Sequence, residues 1–325
     1  MKMRKIEEQQ SMVSVIVACY NPVYEKLQRT VCSIIKQKNI EIQLIVVDDG
    51  SKEKYFDKLE LYIKSMKFKN YILIASECNQ GTCRNVMQGL KAANGKYVKA
   101  ISPGDYLYAD TTLSEWYNYM VEKKLRVTFG DAVYYFYDKE RFTVLKKISL
   151  PQRKELYDME HYRRKSIMIN YICSFDAIIG ANFMLETKLF KQYLDEILTV
   201  VKYGEDMIFR KMLFDNIQIV YYPQNVIYYE YGTGISTAKN EKWREIISKE
   251  IWDMYNFIIK SEEADTFLKK RMFYIMSIAS SEHLFRIIKY IVFPSLIYWK
   301  CLKKIKPVYT PTNADEEFVK EIHGE

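Results

Sequence analysis

The chain has 325 residues, 49% of them hydrophobic and 28% charged, which is enough apolar material for one large domain plus an appendage and excludes a mainly disordered protein. Its formal charge of +8 points to an anionic partner, for which nucleotide phosphates, a lipid surface and nucleic acid all qualify. No RNP, zinc-finger or helix-turn-helix pattern accompanies the 28 tyrosines, so no nucleic-acid partner is expected.

In chain order, Val13 to Cys19 is a short apolar, β-branched run that predicts a buried strand ending in Tyr20-Asn21-Pro22. Pro22 suits the first turn of a helix whose apolar face is Leu27, Val31, Ile34 and Ile35. Ile42 to Val47 predicts a second buried strand, and it delivers Asp48-Asp49-Gly50-Ser51 to the loop that follows. In open α/β sheets ligands sit at that edge, where two carboxylates accept hydrogen bonds from a base and a ribose, and a glycine lets the backbone approach closely. Such a corner is also an ordinary strand-to-helix turn.

Lys54 to Met66 predicts a helix, Tyr71 to Ala75 a strand, Gly81 to Ala93 a helix stopped by Asn94-Gly95, and Tyr97 to Ile101 a fourth strand. This alternation implies a parallel sheet with helices on both faces. Ser102-Pro103-Gly104-Asp105 is a turn, followed by a helix near Thr111 to Glu122 and tyrosine-rich antiparallel or edge strands between Val127 and Lys147. Residues 148–177 carry no firm periodicity. A helix is expected near Thr187 to Leu198 and another opening at Tyr203-Gly204-Glu205-Asp206. Ile217 to Tyr222 and Val226 to Tyr231 read as two short strands before Gly232-Thr233-Gly234-Ile235-Ser236-Thr237.

From Lys242 onward the apolar spacing is helical. Phe285 to Ile305 mixes Ile, Leu, Tyr and Trp with Arg286, Lys289, Lys300, Lys303 and Lys304, the pattern of a basic amphipathic helix interrupted at Pro294. Two readings stay open for it: a helix in a membrane interface, or one packed on the domain or on a second subunit as a homodimer. Residues 307–325 are expected to be flexible. The six cysteines, at 19, 32, 78, 83, 173 and 301, form no CxxC and suit reduced thiols, while residues 1–11 lack an apolar leader and no run is long enough to cross a bilayer. The expected location is cytoplasmic, peripheral on the inner face of the membrane.

Five segments in this order resemble family 2 glycosyltransferases: the strand ending in Tyr20-Asn21-Pro22, the Val47-Asp48-Asp49-Gly50-Ser51 corner, Asn79-Gln80-Gly81-Thr82-Cys83-Arg84-Asn85, Gly95-Lys96-Tyr97 entering a strand, and Gly204-Glu205-Asp206. The resemblance covers about residues 11–237 and implies an α/β GT-A fold, Rossmann-like and mostly parallel, followed by a helical extension at 238–306. It implies an inverting enzyme that moves a sugar from a nucleotide-diphosphate donor, with uridine favoured, to a glycan or lipid-linked acceptor. Tyr20, Asp48, Asp49, Asn79, Gly81, Arg84, Ser102, Asp105, Gly234 and Ser236 are then donor-binding. Asp206 is the base that takes the acceptor proton, and Glu205 its neighbour.

One departure matters. Ser102 and Gly104 stand where the family carries the aspartates that hold Mn2+ or Mg2+ on the donor phosphates, leaving Asp105 alone. Three outcomes follow: Asp105 holds the divalent metal, cationic side chains replace it, or the chain is a non-catalytic nucleotide-sugar-binding subunit. The three histidines, His161, His283 and His323, lack metal-ligand spacing.

Overall fold

The computed structural model describes residues 12–138, 141–173, 176–232, 241–261, 269–270, 282–294 and 316–323. The predicted alternation is present: β1 (Met12–Cys19), α1 (Tyr24–Ile35), β2 (Glu41–Asp48), α2 (Phe56–Ser65), β3 (Tyr71–Ala75), α3 (Thr82–Ala92) and β4 (Tyr97–Ile101). These strands lie side by side in the order β3-β2-β1-β4 and are all parallel. Side chains alternate across a strand, so Val13, Val15 and Val17 meet Leu27, Val31 and Ile34 of α1 on one face. Ile16 and Val47 meet Val86, Met87 and Leu90 of α3 on the other. Apolar burial on both faces is why these runs read as continuous rather than alternating.

The second half of the sheet is mixed. It comprises β5 (Tyr106–Leu107), α4 (Thr112–Glu122), β6 (Val127–Asp138), β7 (Arg141–Val144), α5 (Arg164–Cys173), β8 (Phe183–Glu186), α6 (Thr187–Ile197), α7 (Ile208–Phe214) and β9 (Val220–Glu230). β8 runs antiparallel between β4 and β6, β7 forms a hairpin with β6, and β9 joins β6 in parallel. Where two strands were expected between 217 and 231 there is one. Pro223 sits inside β9 because the β6–β9 ladder is irregular around Asp131, which relieves the missing donor. Among its described residues the unassigned region holds α5 and a 3-10 turn at Lys154–Tyr157.

α8 (Glu241–Lys260) packs on the core through Met254, Tyr255 and Ile258, and the Tyr255 hydroxyl donates to the Tyr171 carbonyl at 2.8 Å. α9 (Glu282–Val292) leads into Phe293, which is buried in the same core, while Leu284, Ile287 and Ile291 stay exposed. Residues 316–323 correct the expectation of a flexible tail. They form α10, whose Phe318, Val319 and Ile322 are buried against Tyr106, Tyr135 and Tyr228. The i, i+1, i+4 spacing of those three residues makes one apolar face, and α1 adds a Lys36–Glu321 ion pair.

Candidate active site

The carboxyl ends of β1 and β2 are tied together by side chains that the sequence had offered to a ligand. Asp48 is buried and accepts from the Ser51 amide at 3.1 Å, from the Tyr55 hydroxyl at 3.0 Å and from the Ser51 hydroxyl. The Ser51 hydroxyl in turn accepts the Asn21 backbone amide at 2.7 Å, and the Asn21 side-chain Oδ1 accepts Lys52 N–H at 3.0 Å. Asp49 accepts the amides of Gln80 and Gly81, both at 2.8 Å. Burial pushes its pKa above the ordinary carboxylate value, and those two bonds oppose the rise. Gly50 has φ +74, and a Cβ there would stand 2.6 Å from the Cys78 carbonyl carbon, so the 78–81 loop rests directly on the corner. Asn85 closes the arrangement by donating to the carbonyls of Cys19 and Val47. Tyr20 is left 52% exposed at the rim, free to offer a ring face.

Arg84 and Asn79 are exposed on the same side of the site. Arg84 borders a groove of about 510 Å³ that also includes Ile74, Ser76, Gln80, Gln88 and Lys91. Gln80 donates to Asp49 and Ser76 follows β3, so the groove that Arg84 borders lies at the β2–β3 end of the sheet.

The turn after β4 is a different environment. Gly104 has φ +101, its amide donates to Thr30 Oγ1 at 3.0 Å, and its carbonyl accepts from the Tyr135 hydroxyl. A Cβ at position 104 would meet Glu230 Oε2 at 2.5 Å, so the carboxylate of Glu230 fills the space beside this glycine. Glu230 is itself 7% exposed and ion-paired with Lys26 at 2.5 Å. Ser102 is exposed, and its carbonyl accepts the Asp105 amide at 3.0 Å. Asp105 is buried, accepts Glu230 N–H at 3.0 Å, and is pushed up to about 7, chiefly by burial. Beneath it Lys99 is fully buried, donating to the Ala100 and Ala181 carbonyls at 2.6 and 2.5 Å; burial lowers it to about 7 while Asp105 and Glu205 oppose that shift.

The residues present do not fit a divalent ion held by carboxylates. Magnesium and manganese need several oxygen donors in near-octahedral geometry. Here one motif carboxylate survives, it is buried against a backbone amide and faces Lys99, and the nearest replacement, Glu230, already holds an ammonium. Among the described residues no group of three His, Cys, Asp or Glu side chains is gathered to hold a metal.

Glu205 and Asp206 occupy a 3-10 turn, Glu205–Met207, at the head of α7. The loop before it is clamped from both sides. The amides of Lys202, Tyr203 and Gly204 donate to the buried Glu250 carboxylate of α8 at 2.9, 3.0 and 3.1 Å, and the Lys202 carbonyl accepts the Cys83 amide at 3.0 Å. Gly180 makes room for Glu205, since a Cβ there would lie 2.3 Å from Glu205 Oε1. Burial, with Asp206 next to it, pushes Glu205 up to about 8. Asp206 is also raised by burial, with the Glu250 charge adding to the rise and Arg210 and the Gly180 amide opposing it. Arg210 stacks over Tyr171 and Tyr255 at 5.5 and 5.9 Å.

The structure therefore gathers Tyr20, Asp48, Asp49, Gly81, Ser102, Asp105, Glu205 and Asp206 around the carboxyl ends of β1, β2 and β4. Gly234 and Ser236 lie outside the described residues. Lys26, Lys99, Glu230 and Glu250 were missed. Two left a signal: Lys99 is a charge inside the apolar strand Tyr97-Val98-Lys99-Ala100-Ile101, and Glu250 interrupts the apolar face made by Ile247, Ile251 and Met254.

Comparison with known proteins shows the family and the fold to which this chain belongs. Residues 14–194, more than half of the chain, match the family model Glycosyl transferase family 2, and the chain belongs to that family. It is 31% identical to an uncharacterized glycosyltransferase of Haemophilus influenzae over 40% of this chain and 49% of that protein. With glycosyltransferase GlyA of Streptococcus pneumoniae it shares 24% identity over 71% of this chain and 32% of that protein. The chain thus spans about a third to a half of these two curated relatives. Among solved structures, the UDP-GlcNAc complex of S. aureus TarS 1–349 superposes with a TM-score of 0.54 at 17% identity, covering 96% of this chain and 81% of that one. A Pyrobaculum calidifontis mannosyltransferase in complex with GDP-Man and Mn2+ gives 0.58 at 12%, covering 96% and 86%. Both likenesses establish the GT-A fold.

Proposed function

We propose that this chain transfers a sugar from a uridine-diphosphate donor to a glycan or lipid-linked acceptor, with inversion at the anomeric carbon. The observation that carries the reading is the clamped Glu205–Asp206 turn set beside the β1–β2 nucleotide corner. The charge of the buried Arg210 of α7 acts on Asp206, yet burying two adjacent acids in one turn still costs stability. Asp206 takes the acceptor proton as the hydroxyl attacks, and its raised proton affinity suits a base working near neutral pH. Glu205, pushed up to about 8, stays protonated at neutral pH and offers a hydrogen bond rather than a second negative charge. Tyr20 supplies a stacking face for the base, Arg84 a guanidinium on the nucleotide side, and the Asp48–Asp49 corner holds the backbone that borders the ribose.

Support for a uridine donor comes from the UDP-GlcNAc-bound fold neighbour and from the 29% identity over 112 residues to a poly-β-1,6-N-acetyl-D-glucosamine synthase of Staphylococcus epidermidis. Peripheral membrane contact is proposed for residues 285–306, of which 285–294 lie within the described residues. There Ile287 and Ile291, with Leu284 just before them, form an exposed apolar stripe on α9 at 53%, 73% and 41%. No described helix is long and apolar enough to cross a membrane.

The test is release of UDP from a panel of UDP-sugars incubated with lipid-linked and glycan acceptors, with GDP-mannose as the control donor. Acceptor-dependent UDP release supports the reading. Binding of UDP-sugar without any release over the panel would favour a binding subunit.

A further inference from the structure

We propose that the donor diphosphate is held at this site without a resident divalent cation, by the ammonium of Lys26 beside Gly104; the inference rests on the nucleotide-sugar reading above. Two carboxylates, Asp105 and Glu230, border the turn where the family places an ion. Asp105 accepts the Glu230 amide and lies within the influence of the buried Lys99 charge, and Lys26 pairs with Glu230 at 2.5 Å. The space that a side chain at position 104 would need is filled by Glu230 Oε2, with Lys26 Cδ 3.6 Å from the same point. An ion bound there would have to displace an ammonium from a buried carboxylate and reorient Asp105 away from the Glu230 amide.

The location of Lys26 makes it fit for the second role. It lies in the first turn of α1, immediately after Tyr20-Asn21-Pro22, and so at the carboxyl edge of β1, between the nucleotide corner and the β4 turn. Its side chain is 30% exposed while its partner is 7% exposed, so the ammonium has one buried contact and an open side from which to meet phosphate oxygens. An ammonium is a compact charge with three donors, and it neutralises a leaving diphosphate without needing an octahedral donor set. Thr30, one turn further along α1, accepts the Gly104 amide and holds helix and turn together.

The experiment is calorimetric titration of UDP into the full chain, once with excess MnCl2 and once with EDTA, with GDP as control. The dissociation constants should agree within about twofold, and Lys26→Met should weaken UDP about tenfold or more in both buffers, the usual scale for losing a charged hydrogen-bond donor. Because Lys26→Met strands a buried carboxylate, Lys26→Met/Glu230→Gln is titrated beside it; it keeps a neutral pair and should show the same loss. Glu230→Gln alone should tighten UDP a few-fold, since it frees the ammonium. A tenfold or greater loss on chelation, wild-type affinity in the double variant, or weaker binding in Glu230→Gln would each overturn the inference and leave the transferase reading standing. No binding of UDP or GDP in any buffer would overturn both.

Discussion

The β1–β2 corner and the acidic turn both present paired carboxylates, but the chain treats them in opposite ways. At the corner, Asp48 and Asp49 accept five hydrogen bonds between them from the amides of Ser51, Gln80 and Gly81 and the hydroxyls of Ser51 and Tyr55. Their work is to fix backbone. At the acidic turn burial raises the proton affinity of Glu205 and Asp206 as it does that of Asp49, but the loop amides of residues 202–204 are held by another residue, Glu250, rather than by either of them. A carboxylate spent on amides becomes architecture, whereas one whose loop is held by something else stays available for protons.

Four measurements sharpen or break that contrast. The largest effect is expected at Asp206. Asp206→Asn should lower kcat by about 10²–10⁴-fold, the usual worth of a general base, while UDP affinity by calorimetry stays within about twofold. Turnover close to wild type would end its role as base. At the corner the expected change is in stability instead. Asp48→Ala leaves Tyr55 and Ser51 without their acceptor and should cost about 2–4 kcal/mol in denaturant unfolding. A loss of kcat in Asp48→Ala with unchanged stability would reverse the division of labour.

Glu250→Ala tests whether the clamp matters to chemistry. It removes acceptors from three amides and should cost about 1–3 kcal/mol of stability, with kcat falling more than UDP affinity because the turn that carries Asp206 loosens. The last effect is a pH slope, small over any one pH unit. Glu205 is raised from the ordinary 4.5 to about 8, so between those values the folded state keeps a proton that the unfolded chain has lost. Stability should therefore fall as pH rises through that window, by up to about 1.4 kcal/mol per pH unit for this group, and level off above it. Glu205→Gln should flatten that slope in a series of melts; an unchanged slope would place the proton elsewhere.

Much of the first half was legible because its signals are local. The apolar runs of β1, β2 and β4, the Asn21-Pro22 and Asp49-Gly50 turns and the stop at Asn94-Gly95 each act over a handful of residues, and the observed strands begin and end within about a residue or two of their predicted bounds. The second half was less legible for an equally physical reason. β8 lies between β4 and β6 although it follows both in sequence, so nothing adjacent to Phe183–Glu186 announces its neighbours. Residues 316–323 read as tail because a short helix has little stability alone; burial of Phe318, Val319 and Ile322 beneath α1 is what holds it.

By itself the sequence determined the family and the α/β alternation, because turn chemistry and strand periodicity are written in neighbouring positions. Tertiary structure alone decided what those residues do electrostatically. Lys26 and Glu230 are 204 positions apart and meet at 2.5 Å beside Gly104, and Glu250 reaches back 46 positions to the turn before Glu205. Whether a carboxylate is a ligand, a fastener or a base depends on which cations and amides the fold brings against it and how much water it excludes, and neither quantity exists until the chain has folded.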